Sequence, residues 1–293
     1  MKILLLGKNG QLGWELQRAL APLGTLVALD RHEGGDLADS AALAATVKRV
    51  APDVIVNAAA YTAVDKAESD VEAAQQINAA AAGVLAREAK ALGALLVHYS
   101  TDYVFDGSGE LPRNEDAATG PLSVYGRTKL EGEQLIQASG ADALVLRTSW
   151  VYAARGGNFA KTMLRLAAER DQLKVVADQI GAPTGADLLA DLTAHLVRAT
   201  WADRSLAGVY HAVASGETSW HAYAQHVLRR AVAKGVVLKV APDQVQAIPT
   251  SAYPVPAPRP LNSRLDNGRL QQRFGLVLPQ WQAGVDRMLD EIL

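Results

Sequence analysis

The sequence predicts an α/β fold built on a doubly wound parallel sheet, and two observations carry the prediction. Apolar runs of strand length alternate with longer stretches of helical period. The first apolar run also breaks into three glycines, Gly7, Gly10 and Gly13, just ahead of the first helical stretch. Alternation of this kind puts helices on both faces of a parallel sheet, and right-handed crossovers bring the carboxyl ends of the strands to one crevice.

Strands are expected at residues 3–6, 25–29, 54–56, 95–100 and 143–147. Between them, Leu12, Leu16 and Leu20 recur every four residues, 41–50 is rich in alanine, and 71–92 is long and built of good helix formers. Past about residue 150 the cadence weakens, although 173–176 and 208–212 still read as strands that extend the same sheet. Half of the twelve prolines fall within 241–260, among them Pro254, Pro256, Pro258 and Pro260, so this stretch is expected to be an extended loop lying over a cleft. Two short helices should close the chain, at about 266–274 and 279–293, the second with Pro279 in its first turn.

Composition narrows the function classes. With 293 residues and 49% hydrophobic content, the chain can bury a large core. A formal net charge of -2 offers no basic field for nucleic acid or for an anionic membrane. Cysteine is absent, which removes disulfides, thiolate nucleophiles and cysteine-ligated zinc, and the six His show no metal-ligand spacing. No apolar run approaches the roughly 18 residues of a spanning helix, and the apolar stretch at 3–6 is too short for a signal sequence, so a soluble cytoplasmic protein is expected.

The chemistry-bearing residues lie where strands end. Gly7 lets the chain turn, Gly10 lets its backbone approach a pyrophosphate, and Gly13 lets helix and strand pack closely, while the helix N-terminus supplies the anion site of a Rossmann-type dinucleotide fold. A plain strand-to-helix turn is the competing reading, and the position of the glycines after the first strand favours the dinucleotide. Asp30 ends the second strand, where a carboxylate accepts from the adenosine ribose of NAD or simply caps the strand end. Arg31 follows it and suits the 2′-phosphate of NADP, so NADH and NADPH both stay open. The small residues at 57–60 let the backbone lie against a cofactor, and Ser100, Thr101 and Asp102 end the fourth strand. Tyr125 and Lys129, four apart at the start of a helical stretch, share one helix face. A phenol with an ordinary pKa of about 10 is a poor proton donor near neutrality, and a neighbouring ammonium can lower it.

Together, these glycines, residues 57–60, Thr101 and the Tyr125/Lys129 pair resemble the extended short-chain dehydrogenase/reductase superfamily. Longer segments are similar to its dTDP-4-dehydrorhamnose reductase family: STDYVFDG at 100–107, PLSVYGRTKLEGE at 121–133, RTSWVY at 147–152, DQIGAPT at 178–184 and RPLNS at 259–263. The resemblance implies an NADPH- or NADH-dependent oxidoreductase of nucleotide-sugar metabolism. It would reduce the 4-keto group of dTDP-4-dehydro-L-rhamnose to dTDP-L-rhamnose, a precursor of surface polysaccharide such as lipopolysaccharide O-antigen.

It also implies roles. Gly10, Gln11 and Leu12 would touch the cofactor diphosphate, Asp30 the ribose, Asp36 and Leu37 the adenine side, and Ala60, Tyr61 and Thr62 the nicotinamide half. Thr101 would polarise the substrate carbonyl, Tyr125 would donate the proton, and Lys129 would hold the nicotinamide ribose while lowering the tyrosine pKa. Thr101, Asp102 and Trp150 would line the sugar site, and Arg259 would engage the diphosphate of the dTDP-sugar or else form a rim salt bridge. Asn158, Phe159 and Gln179 would neighbour the substrate, although Phe159 also suits the core. Some members are associated with a magnesium-bridged dimer, and Glu15 and Asp187 fall at matching positions. Carboxylates on exposed helices are ordinarily just solvated, so magnesium is not among the cofactors expected, and a homodimer stays open.

The expected organisation is a dinucleotide-binding domain over 1–150 to which 171–213 returns, a substrate domain from 151–170 and 214–265, and C-terminal helices over 266–293. Two rival readings come with the resemblance. An epimerase or dehydratase would recycle its hydride, but dehydratases of this superfamily tend to show an Asp-Glu pair where Thr101 is followed by Asp102 alone. A non-catalytic subunit, like the regulatory subunit of methionine adenosyltransferase, has no need of Thr101, Tyr125 and Lys129 together.

Overall fold

Six largely apolar runs form the sheet of the computed structural model, which describes all 293 residues. They are β1 (Lys2–Leu6), β2 (Thr25–Leu29), β3 (Val54–Asn57), β4 (Leu95–Thr101), β5 (Ala143–Thr148) and β6 (Gly208–His211). All pair in parallel in the order β6-β5-β4-β3-β1-β2. With β2 on one side of β1 and β3 on the other, the connections diverge at β1 and open a crevice at the carboxyl ends of β1 and β3.

Alternation along the strands builds two cores. Ile3, Leu5, Val54, Val56 and Leu144 pack with α1 (Gln11–Leu20) on one face. Leu4, Leu6, Ile55 and Val145 face α2 (Ser40–Val50) and α3 (Ala81–Leu92) on the other. Both faces are apolar because a doubly wound sheet has no solvated side. The stretch leading into α3 is not uniform: Val71–Gln75 passes through a π-helical turn at Gln76–Ala80 before regular winding resumes. That turn carries Asn78, whose amide takes the Tyr61 N–H at 2.9 Å and donates to the Tyr61 carbonyl at 3.1 Å.

α4 (Val124–Ser139) follows β4 and covers the second face, with Ile136 in its core. Beyond β5, α5 (Phe159–Glu169) and α7 (Trp220–Ala233) pack together in two smaller cores, while α6 (Ala186–Ala202) covers the first face of the sheet. α8 (Gly268–Phe274) and α9 (Trp281–Ile292) end the chain.

Three local expectations are corrected. Lys174–Val176 does not extend the main sheet; it pairs in parallel with Gln246–Ile248, because Leu173 and Val175 bury themselves against Met163, Leu228 and Val240. Within 171–213, then, α6 and β6 are what join the sheet layer. Residues 241–260 are not wholly loop, since the proline-free stretch between Pro242 and Pro249 is free to donate and supplies that strand. Pro279 precedes α9 rather than sitting in its first turn, and its carbonyl accepts from the Ser215 N–H. No helix is long and apolar enough to cross a membrane.

Candidate active site

The dinucleotide end of the crevice is shaped by absent side chains. Gly7 has φ +86°, a left-handed conformation that glycine alone adopts readily, and a Cβ there would stand 2.8 Å from the Ala59 nitrogen. At Gly13 a Cβ would lie 2.0 Å from the Gly7 carbonyl oxygen, so α1 rests directly on the β1 turn. Gly13→Ala is therefore expected to destabilise the fold by about 1–3 kcal/mol and to weaken dinucleotide binding, as read by thermal unfolding and cofactor titration. Gly10, the N-cap of α1, brings no capping side chain, so the first N–H groups of the helix stay available to an anion.

Beside them lies a cleft of about 440 Å³ lined by Gly7, Gly10, Asp30, Asp36, Leu37 and Ala60, with Arg31 on its wall. A crevice at the sheet switch point, a free helix N-terminus and close backbone approach together fit a dinucleotide. Asp30 also caps a short turn, accepting the His32 N–H at 2.9 Å and the Asn9 amide at 2.8 Å. The His32 N–H in particular holds its carboxyl below the usual range. Two of the expected cofactor residues point elsewhere. The Leu12 side chain packs on the core, leaving only its backbone for a ligand, and the Gln11 carbonyl faces Asn158 at 3.4 Å.

The reactive end is held by two caps. Ser123 accepts the Gly126 N–H at 3.1 Å and Glu68 accepts the Val124 N–H at 2.8 Å, fixing the start of α4. A Cβ on Gly126 would come within 2.3 Å of the Tyr103 carbonyl, so the helix sits against the turn after β4. This sets Tyr125 beside the end of β4, where the Thr101 hydroxyl is among the groups acting on the phenol. Thr101 in turn donates to Asp102 Oδ1 at 3.0 Å. Buried Asp102 is pushed up to about 6 by loss of solvation, with the Ser263 and Thr101 hydroxyls acting against that rise.

Lys129 is buried, on the same helix as Tyr125, and burial lowers it to about 8 against the pull of Glu133. Its amine turns to the sheet, 2.5 Å from the Tyr99 carbonyl oxygen and 3.2 Å from His98 Nε2. In this geometry the phenol is set by its surroundings and not by the lysine. Desolvation pushes Tyr125 up to about 12, with Thr101 opposing, so the expected lowering of the phenol by the ammonium is not what the structure gives. Tyr61 packs beside Tyr125 and Val124, whereas Thr62 is exposed.

On the sugar side, Trp150 has φ +51° and stacks on Trp220 with ring centroids 3.7 Å apart. Gly181 makes room for it, since a Cβ there would sit 2.9 Å from the indole. Gln179 accepts from the Trp220 ring nitrogen at 3.1 Å. Phe159 packs against Trp220 and Tyr223 and belongs to the core, and Asn158 caps α5 by accepting the Lys161 N–H. Arg259 is paired with Asp65 at 2.8 Å, and the Asp65 carboxylate also takes the Ala257 N–H, so Asp65 ties the proline-rich loop to the segment after Thr62. Glu15 and Asp187 line one small cavity with Glu291, yet no three metal-ligating groups converge within the chain.

Sequence reasoning missed Asp65, His98 and Trp220. Each acts through partners far away in the chain, such as Arg259 for Asp65, and no local pattern announces such contacts.

The comparisons with known proteins fall on this geometry. The family described as the RmlD substrate binding domain matches residues 1–293. The chain belongs to that family. It is 57% identical over 295 residues to a dTDP-4-dehydrorhamnose reductase of Shigella flexneri, covering 100% of this chain and 98% of that one. Among solved structures, a dTDP-4-dehydrorhamnose reductase from Clostridium acetobutylicum has a TM-score of 0.90 at 35% identity, covering 100% of this chain and 99% of that one. The Bacillus anthracis enzyme, solved in complex with NADP, has a TM-score of 0.89 at 33% identity, covering 99% of each.

Proposed function

We propose that the chain reduces the 4-keto group of dTDP-4-dehydro-L-rhamnose to dTDP-L-rhamnose with NADPH or NADH. One observation carries the reading: the Thr101 hydroxyl, at the carboxyl end of β4, acts on the Tyr125 phenol at the start of α4, one strand away from the crevice that would hold the dinucleotide. The names of family members as similar as 57% support the substrate.

When bound, the reduced nicotinamide supplies the hydride. Thr101 orients the substrate carbonyl, and Tyr125 gives the proton on its Oη to the oxyanion as it forms. A phenol held above its ordinary pKa is fully protonated beforehand, which suits the reductive direction. Lys129 holds the nicotinamide ribose with a proton that it does not give to the Tyr99 carbonyl. Asp102 and the Trp150 face line the sugar site, and Arg259 engages the substrate diphosphate, leaving Asp65 to do so. Binding the nucleotide, remote from the reacting carbon, positions the ketone.

Gly7, Gly10, Gly13 and the backbone of Gln11 and Leu12 hold the cofactor diphosphate, Asp30, Asp36 and Leu37 its adenosine, and Ala60, Tyr61 and Thr62 its nicotinamide half. With both Asp30 and Arg31 on the wall of the cleft, either dinucleotide is accommodated. The dinucleotide-binding unit is 1–150 with α6 and β6, the substrate unit is the interleaved remainder, and the enzyme works in the cytoplasm, as a monomer or a homodimer.

Following NADH and NADPH oxidation separately with dTDP-4-dehydro-L-rhamnose tests this reading. One dinucleotide consumed per sugar reduced is the expected outcome. Turnover of the sugar with no net consumption would instead mean an internally recycled hydride and would sink the reductase reading.

A further inference from the structure

Beneath Lys129 the polar groups form a chain with a fixed order of protons. The Ala59 N–H donates to Asn57 Oδ1 at 3.2 Å, which turns the Asn57 amide nitrogen toward His98 Nδ1, also at 3.2 Å. An amide nitrogen only donates, so Nδ1 is the bare nitrogen and the neutral ring carries its hydrogen on Nε2. That Nε2 lies 3.2 Å from Lys129 Nζ. Facing an ammonium, an N–H is a donor against a donor; facing a neutral amine, it finds a lone pair. Asn57, His98 and Lys129 are each no more than 2% exposed, so bulk water does not relieve the mismatch.

We propose that His98 is a positioning residue that favours the neutral amine of Lys129 through its Nε2–H, and that it thereby sets the pH above which reduction fails. The second half rests on the role given to Lys129 above; the first half does not. Titration here is simple loss of a proton from the ammonium to solvent. The groups facing Lys129 are Glu133 on its own helix, His98 and the Tyr99 carbonyl on β4, and, beyond Glu133, Arg147 on β5. Glu133 and the Tyr99 carbonyl, which accepts from Nζ at 2.5 Å, favour the ammonium, and Glu133 is shared with Arg147, which it meets at 2.6 Å. Burial lowers Lys129 to about 8 against Glu133, and burial together with the Lys129 charge displaces His98 well below its ordinary value, so the ring facing Nζ is neutral.

Nitrogen NMR of the wild-type protein with ¹⁵N-labelled histidine tests the first half without turnover. A bare Nδ1 and a protonated Nε2 on His98 are expected, and a hydrogen on Nδ1 overturns the proposal whether or not the chain proves to be a reductase. The second half is read from the alkaline limb of kcat/KM against pH. In His98→Gln the side-chain carbonyl can accept from the ammonium, so the limb should move up by about one pH unit, an effect of roughly tenfold in rate above it. In His98→Phe the donor to the amine's lone pair is gone while the Tyr99 carbonyl still accepts from it, so the limb should also move up, by less than in His98→Gln. A merely structural histidine would lower activity in both variants without displacing the limb, and limbs that coincide with wild type or move down would overturn the assignment.

Discussion

Tyr125→Phe is expected to lower kcat by about 10²–10⁴-fold while leaving dinucleotide affinity unchanged. The substitution removes one hydroxyl and keeps the ring, which packs with Val124 and Tyr61 and meets the Tyr103 ring edge-on at 5.5 Å, so the start of α4 should not move. Only the proton for the substrate oxyanion is lost. Single-turnover oxidation of bound NADPH, set beside a fluorescence titration of the cofactor, separates the two effects. Turnover like that of wild type in this variant would take the proton-donor role away from Tyr125.

Asp102→Asn should act in opposite directions on stability and on activity. The carboxyl of Asp102 is raised to about 6 from an ordinary value near 3.8, chiefly by burial, so the folded protein holds its proton more tightly than the unfolded chain does. Stability attached to that proton is complete below pH 4 and is lost as pH rises through 6. At neutral pH the ionised group therefore opposes folding by about 3 kcal/mol. Asparagine can still accept from Thr101 and carries no charge to desolvate, so the variant should melt higher than wild type at pH 7 to 8. That advantage should vanish near pH 4. Meanwhile kcat/KM should fall about 10- to 100-fold if the carboxylate bonds the sugar. Unfolding curves at the two pH values and steady-state kinetics check both sides. A variant no more stable than wild type at pH 8 would mean that Asp102 is not strained by its burial.

What sequence alone made legible follows from the distance over which each contact acts. The glycines of the first turn, the strands from β1 to β5 and the Tyr125/Lys129 spacing are local patterns with local physical causes, and the structure has each of them where the pattern puts it. The strand at Lys174–Val176 read correctly as a strand and wrongly as part of the main sheet, because an apolar run says that it is buried and not against what. Within the candidate site, Asp30, Asp36 and Leu37 line one cleft. The ion pair of Asp65 with Arg259, however, joins residues 194 apart and leaves no periodic trace. The environment of the phenol was also beyond reach. Helical spacing places Lys129 on the face of Tyr125, but only the fold shows that the amine turns toward β4 and that desolvation governs the tyrosine.

The widened winding around Asn78 constrains how this chain can change in length. A π turn accommodates one residue more than regular winding would, and here that extra residue aims the amide that grips both backbone groups of Tyr61. Deleting a single position between Asp70 and Ala80 would restore a regular helix. It would also either withdraw Asn78 from its grip or swing everything downstream by about 100° about the helix axis, carrying Leu85 and Ala89 off the sheet. The segment can therefore exchange exposed residues such as Glu72 freely, but it cannot lose one.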